Sequence, residues 1–438
     1  MALSDIYQKA SLVQIPSGYK SGTLYSVVPN TADGDFTVTG DPEGEATRVN
    51  KDGLIESVAA DVSRLDYPLL DGVVQDCPTL LLEPESANLL QRSEDYANAY
   101  WLKARVGSSA TGFTAPDGSS NATYFEQQSG QTTAAVIYKS SFTSVSSGVY
   151  TFSIWAKQED KRYIKLQTRV NSATYRTVFD LQDGVITYDS GNENAKIEAY
   201  PNGWYRLSVQ RTSTTTDDII VYYYLNDSAG VSDTVTDSGG VYIWGSQVEK
   251  KDYLTSYIPT IGSAVTRTAD TCVDAGNNTI ISSLDGSVFV DLKVTNDSNL
   301  KQINLFDGGN NRITISVQFS ILSISIVSNV GGTIQTLYSW DVDINTNDRH
   351  KIVIRYKEND SKLYYNGLLQ TPTTYTGSWF NDGVLDNFSF DKSGAFSFYG
   401  KIYQAMIFNE ALSDIELETL TSYTSFNQMA KALLYTIE

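Results

Sequence analysis

Along residues 86–259, apolar and polar positions alternate with the two-residue period of half-buried strands. In VYTFSIWAK (149–157), Tyr150, Phe152 and Ile154 fall on one face, and Thr151, Ser153 and Trp155 on the other. In GWYRLSV (203–209), Tyr205, Leu207 and Val209 oppose Trp204, Arg206 and Ser208. Aromatic residues alternate in the same manner around 222–224 and in YIWGSQVE (242–249). Strands are predicted near Tyr124 and at 134–139, 148–157, 163–170, 176–180, 204–211, 219–225 and 240–249, with Gly, Asn and Asp turns between them. No helical period competes with this pattern.

A second alternating series follows at 286–294, 312–319, 322–328, 349–356 and 361–365. Asn366 and Gly367 then supply a two-residue hairpin turn. Ser413 with Glu416 three residues on reads as a capping box, with Ile415, Leu417, Leu420 and Tyr423 as the apolar stripe of the helix it starts. Phe426, Met429, Leu433, Leu434 and Ile437 then recur at helical spacing. Residues 1–76 differ: after a short helix at 4–10, brief β runs are broken so densely by Gly, Pro and Asp that an independent core is not expected. The predicted fold is all-β. An extended N-terminal arm (1–76) precedes two tandem antiparallel β-sandwiches (77–271 and 272–423), the first a jelly roll, and a short C-terminal tail helix (424–438) closes the chain.

Composition narrows the function. The net charge is −19, from 51 acidic and 32 basic residues, which repels nucleic acid and keeps an abundant protein soluble. No apolar run approaches the ~18 residues of a membrane-spanning helix, and the first ten residues lack the pattern of a secretion signal. The 29 tyrosines suit half-exposed sheet faces and interfaces. Cys77 and Cys272 bracket the first sandwich; a disulfide between its ends is one arrangement, and two separate thiols is the ordinary one.

No catalytic residues are assigned. The single histidine, His350, has no nucleophile on a recognisable turn and reads as structural. The Glu-x-Asp-x-x-Glu strand of a concanavalin-A-like glucanase is missing, as are phosphate-binding glycine loops. Asp307, Asp382 and Asp386 are secondary candidates for calcium, with ordinary β-turns the favoured alternative; no other cofactor is expected. The mixed face bearing Trp155, Trp204, Arg206 and Trp244 is the candidate glycan site, since indole rings stack on sugar C–H faces while Arg bonds hydroxyls. Its rival, slightly favoured, has these tryptophans packed beneath a loop or the neighbouring sandwich.

Three resemblances extend this reading. The motifs SANLL (86–90), AYW (99–101), VYTFSIWAK, GWYRLSV and YIWGSQVE resemble a carbohydrate-binding-module jelly roll. RHKIVIRY (349–356), KLYYNG (362–367) and GKIYQAMIFNEALS (400–413) resemble the laminin-G/concanavalin-A-like sandwich. IPSGYK (15–20), ATRVNKDGLIE (46–56), RLDYP (64–68) and CPTLLLEP (77–84) look like the start of tailed-bacteriophage structural proteins of the head-fibre or tail-fibre type. That resemblance implies a non-enzymatic virion surface protein, assembled in the bacterial cytoplasm. It would bind other virion proteins through 1–76, form a homo-oligomer and adhere to host or environmental glycans without membrane insertion. The alternatives are a purely structural decoration protein that binds no sugar, and a bacterial glycan-binding accessory protein, which the absence of a signal pattern counts against.

Overall fold

The computed structural model describes residues 1–438 except 1–2, 17–18, 21–22, 30, 42–44, 141–145, 192–193, 215–218, 236–237, 296–298, 424, 426–427 and 430–438. The described chain is nearly all antiparallel β-structure in two sandwiches, as the alternation predicts.

The first sandwich packs two six-stranded sheets. One is ordered Leu102–Ala104, Val136–Lys139, Ile220–Asn226, Tyr163–Val170, Ala173–Asp180, Val185–Asp189. The other is ordered Val106–Phe113, Ala122–Gln127, Gly239–Glu249, Gly148–Gln158, Trp204–Ser213, Lys196–Ala199. Tyr150, Phe152 and Ile154 meet Ile164, Leu166, Tyr223 and Leu225 between them. The alternation therefore assigns the inner face of these strands correctly.

The second sandwich packs a six-stranded sheet, whose middle strands are Ile321–Val330 and Arg312–Gln318, on an eight-stranded one. Strand Asp285–Val294 is buried on both sides. Val288, Val290 and Leu292 face the core between the sheets. Phe289 faces outward, beneath helices α1 (Leu3–Tyr7) and α2 (Asp414–Thr421), which bring Ile6, Leu417 and Leu420. Asn366 (φ 47°) and Gly367 (φ 85°) form the left-handed turn expected of them. Glu416 accepts the Ser413 backbone N–H at 2.7 Å, as a capping box requires. Ile415, assigned to the apolar stripe, is instead 66% exposed, and α1 is shorter than the predicted helix at 4–10. The tail helix expected at 424–438 falls almost wholly outside the described residues.

The extended arm takes its order from the second sandwich. Leu12–Gln14 and Thr79–Leu82 both pair with Gly400–Phe408, end to end along one edge, and Leu65–Asp66 continues the sheet beyond Thr79–Leu82. Phe36–Thr39 pairs with Thr271–Val273, and Phe36 and Val38 join the second sandwich's core. Short strands too small for a core of their own gain one by pairing with strands more than 200 residues away.

The jelly roll is consequently an insertion. Its incoming strand, Ser86–Asn88, lies antiparallel to its outgoing strand, Val265–Arg267. Cys272 is buried in the second core while Cys77 is exposed, and both are free thiols, so the disulfide arrangement is not the one adopted.

Candidate functional site

The four predicted glycan residues do converge. Trp155 stands opposite Arg206 on one neighbouring strand and Trp244 on the other. The Arg206 guanidinium lies 4.2 Å from the centre of the Trp155 ring, and the Trp155 and Trp244 rings meet edge to face at 5.4 Å. Gly245, at φ 63°, permits this approach, since a Cβ there would meet the Trp155 ring at 2.8 Å.

The face is nevertheless closed. Trp155, Trp204, Trp244 and Arg206 are 0, 2, 1 and 5% exposed. Ile55 from the arm, Ala115 and Tyr257 complete a small apolar core over them. The Tyr257 ring lies 4.6 Å from Trp244, and Arg206 donates to the Thr255 carbonyl at 2.8 Å. The arm is fastened there too: Thr47 donates to the Tyr257 carbonyl at 2.6 Å and Ile55 N–H to the Pro116 carbonyl at 3.0 Å. In this structure the tryptophan face packs beneath the arm and its neighbouring loops, and offers no ring surface for stacking.

The opposite outer face is partly open: its tyrosines are half-buried, and Lys165 and Gln167 beside them are buried. Tyr222 and Tyr224 point away from the core because Tyr223 between them points into it. Tyr138 sits opposite Tyr222, their rings stack at 5.2 Å, and Tyr224 extends the stack at 5.9 Å. Gln167 pairs with Tyr222 and Arg176 in register, and Arg176 Nε donates to Gln167 at 3.0 Å. Lys165 lies 4.4 Å from the Tyr224 ring centre. One row thus presents half-buried aromatic rings and a half-buried guanidinium, with Gln167 buried between them at 9% exposure. Its signal, alternating tyrosines at 222–224, was legible in the sequence, but only the fold shows this face uncovered.

A buried ionic neck joins the arm, both sandwiches and the connecting strands. Glu83 accepts from Arg64 at 2.7 Å, Arg267 at 2.5 Å and Ser256 Oγ at 2.6 Å, while Arg64 also pairs with Asp270. Burial alone would push the Glu83 carboxyl up, yet Arg267 and Arg64 hold it well below the usual carboxylate range. Beside the neck, a cleft of about 660 Å³ opens between the arm and the two sandwiches.

The other predicted site residues remain apart from both faces. Asp307 is engaged in its own turn, accepting Gly309 N–H at 2.7 Å and Asn311 Nδ2 at 2.6 Å. Asp382 accepts Gly383 N–H, and burial with the nearby Asp307 charge raises the Asp386 carboxyl. Among the described residues no group of three or more His, Cys, Asp or Glu is arranged to hold a metal ion. His350 is buried, with Nδ1 2.9 Å from the Tyr365 hydroxyl; burial and then Lys293 push its pKa down to about 4.

No family model and no curated protein matches the chain. Among solved structures, it is similar to the carbohydrate-binding module CBM40 of the Ruminococcus gnavus IT-sialidase bound to alpha2,3 sialyllactose, at 18% identity and a TM-score of 0.28, over 34% of this chain and 93% of that one. It is similar to domains LG4-5 of the mouse laminin alpha1 chain at 12% identity and a TM-score of 0.23, covering 65% and 89%. Trypanosoma rangeli sialidase aligns at 10% identity and a TM-score of 0.26, covering 72% and 61%. At these scores the assignments of fold and site rest on the chain's own sheets and side chains.

Proposed function

We propose that the protein is a non-enzymatic adhesin of a bacteriophage virion, head-fibre or tail-fibre in type, that binds glycans through the open tyrosine face of its first sandwich. The observation that carries the glycan reading is the stacked row Tyr138, Tyr222 and Tyr224 with Gln167 and Arg176 alongside. Phenol rings match the C–H faces of sugars, and the half-buried Arg176 guanidinium matches hydroxyl groups. Weak single sites become effective when many copies are displayed.

The virion assignment is supported by the arm motifs at 15–20, 46–56, 64–68 and 77–84. Attachment would use the surface that residues 1–76 leave exposed, where Val27 is 52% and Val73 64% exposed. A glycan array tests the first part: the full chain is expected to retain specific glycans, and Tyr222→Ala to lose them. Immunogold labelling of purified particles tests the second, and unlabelled particles would refute it.

A second reading, structural decoration without sugar binding, has one observation in its favour. Edge strand Leu368–Gln370 exposes Leu368 at 67% and Leu369 at 54%, a surface suited to subunit contacts and to a homo-oligomer. An array empty at every glycan would leave that reading alone standing.

A further inference from the structure

We propose that the cleft between the two sandwiches is a second binding site, separate from the open tyrosine face, and that it takes a small carboxylate-bearing sugar such as a hexuronate. At about 660 Å³ it falls in the range of sites for small ligands, about 300–1,000 Å³. Its walls come from three parts of the chain, so only the assembled molecule has it. The first sandwich brings Lys196, Tyr200 and Tyr205, the second brings Lys293 and Lys401, and the arm brings Tyr67.

The unsatisfied groups on these walls share one chemistry. Lys401 is paired with Asp66 at 2.7 Å, but Lys293, directly opposite it across the strand pair, has no ion-pair partner among the described residues. Burial, and then Lys401 beside it, lower the Lys293 pKa, with Asp348 and Glu198 acting more weakly in the opposite direction. Lys196 stands exposed at the rim. An ammonium donates to carboxylate and hydroxyl oxygens, so Lys293 with Lys196 favours an acceptor-rich ligand.

The aromatic wall selects a sugar over a bare anion. Tyr67, Tyr200 and Tyr205 are half-buried around the cleft and can lie against a pyranose ring. Thr346, Asn347 and Glu198 supply partners for hydroxyls. The walls also carry acids: Asp66 and Glu83 are held by Lys401 and by Arg64 and Arg267, while Asp71 and Glu198 line the cleft as well. Lys293 remains for an incoming carboxylate.

The test is isothermal titration calorimetry of the full chain with glucuronate and, as the neutral counterpart, glucose. Glucuronate is expected to bind at least tenfold more tightly than glucose. Lys293→Met keeps the side-chain length and should weaken glucuronate at least tenfold. Lys196→Gln, at the exposed rim and harmless to folding, should weaken it about threefold. In a Tyr222→Ala background, which disables the open face, glucuronate should still bind and the lysine substitutions should weaken it to the same degree, which separates the two sites. Equal binding of glucose and glucuronate, or undiminished glucuronate binding by both lysine variants, would overturn the proposal.

Discussion

The two outer faces of the first sandwich carry aromatic residues on neighbouring strands, yet they do opposite things. On one, Trp155 and Trp244 meet Tyr257 and lie under Ile55 of the arm, with almost no exposed surface. On the other, Tyr138, Tyr222 and Tyr224 stack side by side at the surface. Both faces obey the same alternation. What separates them is a length of chain from outside the sandwich, which turns an outward face into an inner one. Outward from the sheet and exposed to solvent are different properties.

The covered face is most vulnerable at Trp155. Trp155→Ala removes a fully buried ring and is expected to cost about 3–5 kcal/mol of stability, read by denaturant unfolding. A loss below about 1 kcal/mol would mean that the arm does not cover this face. The neck is the next lever. Glu83→Gln leaves Arg64 and Arg267 with less negative charge and should cost roughly 3 kcal/mol. If the neck holds the arm in place, the variant's tryptophan emission should shift to the red and become open to acrylamide quenching.

Acid offers a milder route through the second sandwich, where the arm is anchored. The folded pKa of His350 is about 4, below its ordinary 6.5. The unfolded chain therefore binds the proton first. The stabilising contribution is complete above pH 6.5 and is lost as pH falls towards 4, amounting to roughly 3 kcal/mol. Unfolding free energy measured from pH 7 to 4 should fall accordingly, and His350→Gln should flatten that slope. The smallest effect on stability belongs to the open face. Tyr222→Ala should cost less than about 1 kcal/mol, as half-exposed positions do. It should nevertheless weaken glycan binding about tenfold, so a large loss of stability with unchanged binding would reverse the roles of the two faces.

Much of the local structure was legible. Strand Gly148–Gln158, the Asn366 and Gly367 turn and the start of α2 at Ser413 follow from neighbours a few residues apart. Strands Val106–Phe113 and Thr333–Asp343 were less visible. In the first, Gly and Ser dilute the alternation; the second is largely exposed and lacks a clean apolar face. The site was half legible. Alternation placed Trp155, Arg206 and Trp244 together on one sheet face, but not the cover above them.

The sequence by itself determined the all-β class, the inner face of each principal strand and the grouping of aromatic residues, because side-chain direction in a strand repeats every two residues. Only the tertiary structure decided that the arm completes the second sandwich and that the jelly roll is inserted through a paired neck. It likewise decided that the tryptophan face is covered while the tyrosine face stays open. Those outcomes depend on pairings such as Leu12 with Ile407, and on contacts such as Ser11 to Ile407, 396 residues apart along the chain. Local periodicity fixes which side of a strand is apolar. Which other segment comes to lie against that side is settled by the whole molecule's competition to bury surface and pair its backbone.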